Sequence, residues 1–503
     1  MKRRGILIIY LVICLVLLPT VRHDIGPDAI SYISIARSYL NFNFHDALNA
    51  YWSPFISWVL VPFIGIGLDP LLSFKIITIL FGLLSLNTTI SILNESGLTL
   101  NPDWIKRIIE CALIPLFCFF AGMLSPDIIS LFFLLKYLQF LIKYGKDPTR
   151  SNLLKIVLIA FAAYLTKSYN LIFVFLHFTF VYFILWKRHK KGIGPYILTI
   201  SLLILFCSCW FVPISFKYKK LTLSTAGEYN FSIIGPTSNW HPTLNKGLLP
   251  PPYKNAISAW EDPSYIPLNK WSPVANTGNF FFYLKHILKQ MGRFGKYFFF
   301  YPTFLLTLVY VLYRFIQKKI KPRLIEGFLL SFFLYPIVYF FIFTEERYVW
   351  VIHLILLIFS GYFLSSLLRN NFLRKFRIPL ICFFVAGIIY FPVRMLAIGY
   401  YYSNKQAETE AQVRKMSGID KKAIASEHGL WQDGLYLSYY KNDSYFGSLP
   451  SGLKDFSVIQ KELKKNNIDL YLAHKGNYFE SNELYLMNTY QGELILYNRD
   501  ASR

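Results

Sequence analysis

The chain has 503 residues, of which 54% are Ala, Val, Ile, Leu, Met, Phe, Trp, Tyr or Cys and only 16% are charged, well under the roughly one quarter typical of soluble domains. That composition excludes an ordinary soluble protein, a disordered chain and a collagen-like one. The net charge of +24 would favour nucleic acid on a soluble surface, but the lysines and arginines gather in short clusters between long apolar runs, where they are topology signals for a membrane.

The first apolar run, Gly5 to Pro19, follows Lys2, Arg3 and Arg4 and has no small-residue cleavage pattern before Arg22. It reads as a retained span rather than a signal peptide. Windows long enough to cross a hydrocarbon core recur at approximately 5–21, 72–93, 106–123, 127–143, 153–167, 169–187, 195–214, 298–316, 326–343, 348–368 and 378–398. With the N-terminus inside, the short inner connections hold 22 Lys and Arg, while the short outer ones hold only Arg22, Arg37, Lys167 and Arg347. This asymmetry supports eleven spans, a cytoplasmic N-terminus and an extracytoplasmic C-terminus. Cys14, Cys111, Cys118, Cys207, Cys209 and Cys382 all lie in apolar stretches without a CxxC pair, which reads as small hydrophobes rather than disulfides or metal ligands.

Three segments are not spans. The first outer loop, 22–71, carries Pro27-Asp28-Ala29-Ile30-Ser31-Tyr32-Ile33-Ser34-Ile35-Ala36, whose apolar spacing predicts an amphipathic helix on the outer membrane face. Asp28 falls in its first turn, where capping and catalysis are both open. A second interfacial helix is expected after Tyr51-Trp52-Ser53-Pro54-Phe55. The second outer loop, 215–297, is rich in proline and holds Trp240, Trp260 and Trp271, suited to stacking on sugars or to the membrane interface. Residues 403–503 predict a polar helix at 404–417, strands at 422–426, 444–446 and 468–473, helices at 432–440 and 455–465, and a hairpin from 483–488 and 493–497. The expected organisation is a membrane domain over 1–402 and a small extracytoplasmic α/β domain over 403–503.

The remaining outer turns hold Leu124-Ser125-Pro126-Asp127, Leu165-Thr166-Lys167-Ser168-Tyr169 and Thr344-Glu345-Glu346-Arg347-Tyr348. A carboxylate at Asp127 is costly at membrane depth unless it caps a helix or acts. Lys167 can snorkel or neutralise a phosphate, and the guanidinium fork of Arg347 suits phosphate oxygens or a neighbouring Glu. Inside the spans, Glu110 and Lys136 are expected to form an ion pair, and His177 and His353 to hydrogen-bond in the bundle interior. Asp28, Asp127, Lys167 and Arg347 all fall on the outer side. Carboxylates can deprotonate an attacking hydroxyl and cations can stabilise a departing phosphate.

These motifs, in this order, resemble the large bacterial branch of the GT-C glycosyltransferases, the group containing protein O-mannosyltransferase-like and aminoarabinose transferase-like proteins. The resemblance covers about residues 1–400. It implies an enzyme of the bacterial inner membrane that moves a sugar from a polyprenyl-phosphate donor to a lipid, glycan or protein acceptor on the outer face. It further implies Asp28 as catalytic base, Asp127 as its assistant or a metal ligand in some members, and Lys167 and Arg347, with Tyr348 beside them, as the carrier-phosphate site. Where many members have an Asp-Glu pair this chain has Asp28-Ala29, so a divalent metal is not fixed by the motif. Two alternatives stay open: a polysaccharide polymerase or ligase using His241 or Arg293, and a lipid-linked sugar transporter or flippase.

Overall fold

A computed structural model of the chain describes residues 3–95, 103–189, 192–236, 247–316, 324–370, 372, 375–415, 422–450, 453, 455–474 and 494–498. It divides into two compact units, one of Met1–Val21, Phe74–Pro213 and Leu284–Tyr400, the other of Arg22–Ser73, Ile214–Tyr283 and Tyr401–Arg503.

The first unit is helical, and all eleven expected windows lie on helices. Seven described helices are long and apolar enough to cross a membrane, or eight if a bent pair counts as one span, so the chain is a multi-pass membrane protein. The helices that miss this threshold do so for local reasons. Asp103–Gly122 carries Asp103, Lys106, Arg107 and Glu110 in its first turns, Arg150–Thr166 has 17 residues, and Leu324–Ser331 gives way to a 3-10 helix, Phe332–Phe341, that contains Pro336. The expected 298–316 span is preceded by Thr277–Phe299, and the pair bends by 111° ahead of Pro302, a residue that cannot continue the hydrogen-bond ladder.

Burial separates inner from outer helices. Asp127–Lys146 is 78% buried and Arg3–Val21 only 17%, the latter presenting Ile8, Val12, Leu15 and Val16 outward. Close packing inside depends on small residues: a Cβ on Gly82 would lie 2.1 Å from the Tyr10 hydroxyl, which donates to the Ile79 carbonyl. Phe120 stacks on Trp350 with centroids 4.0 Å apart. His177 satisfies both ring nitrogens, with Tyr137 at 2.9 Å and Ser331 at 2.7 Å. The expected Glu110–Lys136 pair does not form among the described residues. Lys136 instead donates to Gln139, one turn along its own helix, whose amide donates to Glu95, while Glu110 senses Lys106 and Arg107 of its own helix. All six cysteines are free.

The second unit joins the three segments outside the spans. Helix Pro27–Leu40 is buried almost continuously from Ala29 to Ala36 and packs on helix Phe55–Gly65. The second loop folds onto the first through hydrogen bonds from Asn49 to the Glu261 carbonyl and from Trp52 to the Trp260 carbonyl. Its tryptophans find partners in the protein: Trp260 packs edge-on against Trp52 and Trp271 stacks on Phe231, while Trp240 lies outside the described residues.

The C-terminal residues form a four-stranded sheet ordered β2-β1-β3-β4, with β1 Ala423–Ser426, β2 Ser444–Ser448, β3 Leu470–His474 and β4 Leu494–Asn498. β1 runs parallel to β2 and β3, and β4 antiparallel to β3, as two helix crossovers followed by a return strand require. The crossover helices are Trp431–Lys441, ended by left-handed Asn442, and Phe456–Lys465, capped by Asp455. Two expectations change. The polar helix at 404–417 is the continuation of one long helix, Arg377–Lys415, which runs through Pro392 and Gly399 without a break. The 493–497 strand pairs with β3, and residues 483–488 lie outside the described residues. The sheet core includes Leu248 of the second loop beside Ala425, Leu463 and Tyr471, and the loop continues along the edge of β2 through Leu249 N to Phe446 O and Tyr445 N to Ile257 O.

Candidate functional site

In the first unit, three turns that are remote in sequence deliver a charge cluster. Asp127 opens helix Asp127–Lys146, its amide donating to Ser125 Oγ at 3.4 Å. Pro126 holds the N-cap position with no side-chain cap, and the Asp127 carboxylate is directed to the cations. Lys167, at the break between Arg150–Thr166 and Tyr169–His189, donates to Asp127 Oδ1 at 2.6 Å. Arg347, in the short 3-10 turn Glu346–Val349, places Nη1 3.4 Å from Asp127 Oδ2 and Nε 2.5 Å from Glu345 Oε2.

Aromatic rings form the wall. Lys167 Nζ lies 4.1 Å from the Tyr348 ring centroid and 5.7 Å from that of Tyr339, and these two rings stack with centroids 4.2 Å apart. The Arg347 guanidinium lies 5.5 Å from the Tyr348 centroid. Each cation is attracted by the quadrupole of the ring face it meets. The side chains of Asp127, Lys167 and Arg347 are 4%, 17% and 18% exposed, so the two cations are sheltered yet reachable while the carboxylate beneath them is closed off.

Glu346 faces the other way. Its Oε2 accepts from Trp350 Nε1 at 2.7 Å and its Oε1 from the Tyr301 hydroxyl at 3.1 Å. His353 lies 3.6 Å from Glu346 with its ring 4.5 Å from that of Tyr301. Neither ring nitrogen of His353 has a hydrogen-bond partner among the described residues, which departs from the expected interior hydrogen bond. The Glu346 network fixes the turn that presents Arg347.

In the second unit, Asp28 lies in the first turn of Pro27–Leu40, behind Gly26 and Pro27, and no side chain caps this helix. Asp28 Oδ1 is 3.5 Å from Trp260 Nε1. Trp260 is held by Trp52 Nε1, which donates to its carbonyl at 2.8 Å, and by the rings of Tyr51 and Tyr229. The next residue, Glu261, is fully buried and accepts from Ile257 N at 2.5 Å and the Tyr253 hydroxyl at 2.9 Å. Burial pushes its carboxyl up to about 7, against hydrogen bonds and the through-space charge of Arg37, which favour the ionised form. Asp262 accepts from the Tyr218 hydroxyl and lies 3.7 Å from Lys217, and burial raises its carboxyl above the ordinary range.

The fold thus brings Asp127, Lys167, Arg347 and Tyr348 together, and gives Asp28 its own setting beside Trp260. Tyr339, Glu345, Glu346 and Glu261 were not singled out as site residues from the sequence. Tyr339 sat inside an apolar window, and Glu261 carried no motif. The alternative's Arg293 lies on helix Thr277–Phe299, and His241 is outside the described residues. The surroundings of Asp127 do not fit a divalent cation: both oxygens already face a cation, and among the described residues no three His, Cys, Asp or Glu side chains cluster as ligands.

No protein-family model matches the sequence, and no curated protein matches it. Solved structures do share its fold. ArnT from Cupriavidus metallidurans in the apo state aligns with a TM-score of 0.59 at 14% identity, over 100% of this chain and 99% of that one. The same ArnT bound to undecaprenyl phosphate aligns with a TM-score of 0.54 at 12% identity, over 99% and 98%. The Archaeoglobus fulgidus oligosaccharyltransferase, in complex with Zn and sulfate, aligns with a TM-score of 0.52 at 12% identity, over 92% of this chain and 68% of that one. At these identities the likeness is one of fold, shared with ArnT and the oligosaccharyltransferase.

Proposed function

We propose that the chain, which has the fold of the GT-C glycosyltransferases, transfers a sugar from a polyprenyl-phosphate donor to a lipid, glycan or protein acceptor on the outer face of a bacterial inner membrane. The observation that carries this reading is the cation pair Lys167 and Arg347, gathered on Asp127 against the Tyr339–Tyr348 stack. Two sheltered cations can take the phosphodiester of the donor, and then the monoester that leaves, in place of the carboxylate they now hold. An ArnT of the same fold was solved with undecaprenyl phosphate bound.

In this reading the acceptor hydroxyl gives its proton to Asp28 and its oxygen attacks the anomeric carbon. The bond from that carbon to the phosphate oxygen breaks, and polyprenyl phosphate leaves with the electron pair. Lys167 and Arg347 stabilise the charge that develops there. Asp127 orients both cations before the donor arrives, and Tyr348 holds the ammonium of Lys167 away from bulk water. A single displacement inverts the anomeric configuration. Residues 1–402 form the catalytic membrane domain and 403–503 an extracytoplasmic domain.

The test is incubation of the purified protein with a panel of polyprenyl-phosphate sugars and envelope lipid and glycan acceptors, read by mass spectrometry. Appearance of free polyprenyl phosphate with a glycosylated acceptor supports transfer. Donor that crosses liposome bilayers unchanged, with no product, supports a flippase instead.

A further inference from the structure

A polar cavity lies wholly within the second unit. It has a volume of 310 Å³ and is lined by residues of the first outer loop, the start of helix Pro70–Glu95, the outer end of helix Arg377–Lys415 and the C-terminal α/β domain. That volume is at the small end of the roughly 300–1,000 Å³ of small-molecule sites, enough for one sugar-sized unit and not for an oligosaccharide.

The walls are built from packed elements. Ser403, Gln406 and Glu410 share one face of their helix and clamp the loop at three points: Ser403 accepts from His23 N at 3.1 Å, Gln406 from Ile25 N at 2.8 Å, and Glu410 meets His23 Nδ1 at 2.8 Å. On the opposite side, helix Trp431–Lys441 of the α/β domain contributes Tyr439 and Tyr440, with Arg37 lying 5.5 Å from the Tyr439 ring centroid.

The charges in the cavity are formally balanced but chemically unequal. Both carboxylates are engaged: Glu410 with His23, and Asp69 with the amide of Leu72 at 2.7 Å, at the N-terminal end of helix Pro70–Glu95. The two guanidinium groups, Arg22 and Arg37, form no ion pair among the described residues. Each offers a planar fork of donors suited to bidentate contact with an oxyanion. The two tyrosines and the clamped acids can meet hydroxyl groups around it.

We propose that this cavity binds a monosaccharide-sized ligand carrying a phosphate or carboxylate, its oxyanion held by Arg22 and Arg37 and its hydroxyl groups by the tyrosines and acids of the walls. The ligand is either free in the extracytoplasmic space or the head of a membrane lipid. In both cases the C-terminal domain supplies one wall of the site, through Glu410, Tyr439 and Tyr440.

The experiment uses the full chain in phosphatidylcholine nanodiscs, titrated calorimetrically with glucose 1-phosphate, glucuronate and neutral methyl glucoside. The two anionic sugars should bind, with methyl glucoside at least tenfold weaker. Arg22→Gln and Arg37→Gln should each weaken glucose 1-phosphate binding by about tenfold or more, and Lys461→Gln, an exposed cation of helix Phe456–Lys465 that does not line the cavity, should leave it unchanged. Arg22 is exposed, so its variant carries the test even where Arg37→Gln folds poorly. Replacing part of the nanodisc lipid with phosphatidylglycerol separates the sources: competition identifies a lipid headgroup as the occupant, and unchanged affinity identifies a free ligand. Wild-type affinity in both arginine variants, or equal binding of methyl glucoside, overturns the proposal.

Discussion

Replacing Lys167 by Met keeps the aliphatic stem against Tyr348 and removes the charge. A phosphate oxygen about 4 Å from the ammonium, at an effective dielectric near 20, gains about 4 kcal/mol from it. Removing one preorganised donor from a developing oxyanion typically costs 10²–10³ in rate, or about 3–4 kcal/mol. The two figures agree, so kcat/KM per folded protein should fall by about 10²–10³ in the Lys167→Met variant. Folding should weaken as well, because Asp127 keeps only Arg347 at 3.4 Å while remaining buried. The double variant Asp127→Asn, Lys167→Met separates the two effects, since it leaves no buried carboxylate to compensate. It should recover melting temperature without recovering activity. Initial rates measured by mass spectrometry, normalised to folded protein by gel filtration, decide the matter. A Lys167→Met rate within threefold of wild type, or a double variant that regains full activity, would refute the phosphate role and leave a structural ion pair.

Two further perturbations test the surrounding structure. Glu261 has a folded pKa of about 7 against an ordinary 4.5, so the native state holds the extra proton between these values and stability falls as pH rises through that window, by up to about 3 kcal/mol; chemical denaturation from pH 4.5 to 8 should show this slope, and Glu261→Gln should flatten it. Gly82→Ala places a methyl group where the Tyr10 hydroxyl now lies, which should cost about 1–3 kcal/mol as overpacking and lower the melting temperature; an unchanged melt would show that Tyr10 can move aside freely.

Much of the membrane part was legible because lipid imposes a one-dimensional rule: apolar runs of span length report helices. Lys167 and Arg347 stood out as rare cations in short turns between apolar runs. Their meeting on Asp127 depends on the packing of helices that lie 40 and 220 residues apart, which no local pattern encodes. The bend before Pro302 and the 3-10 stretch around Pro336 were hidden in windows whose hydropathy is unchanged by backbone geometry. The α/β strands were visible by alternation, yet the edge contact of Leu249 and Ile257 with β2 was not, because a proline-rich loop carries no strand signal. Glu261 and Glu346 looked like ordinary loop acids, and only burial distinguishes them.

Asp28 is the group proposed to activate the acceptor. Asp28→Asn preserves size and helix position while removing the base, so the purified variant should insert, fold and bind polyprenyl phosphate as wild type does but fail to form glycosylated acceptor. The wild-type product should carry the anomeric configuration opposite to that of the donor. An Asp28→Asn protein that transfers sugar at the wild-type rate, or a wild-type product of retained configuration, would contradict the account.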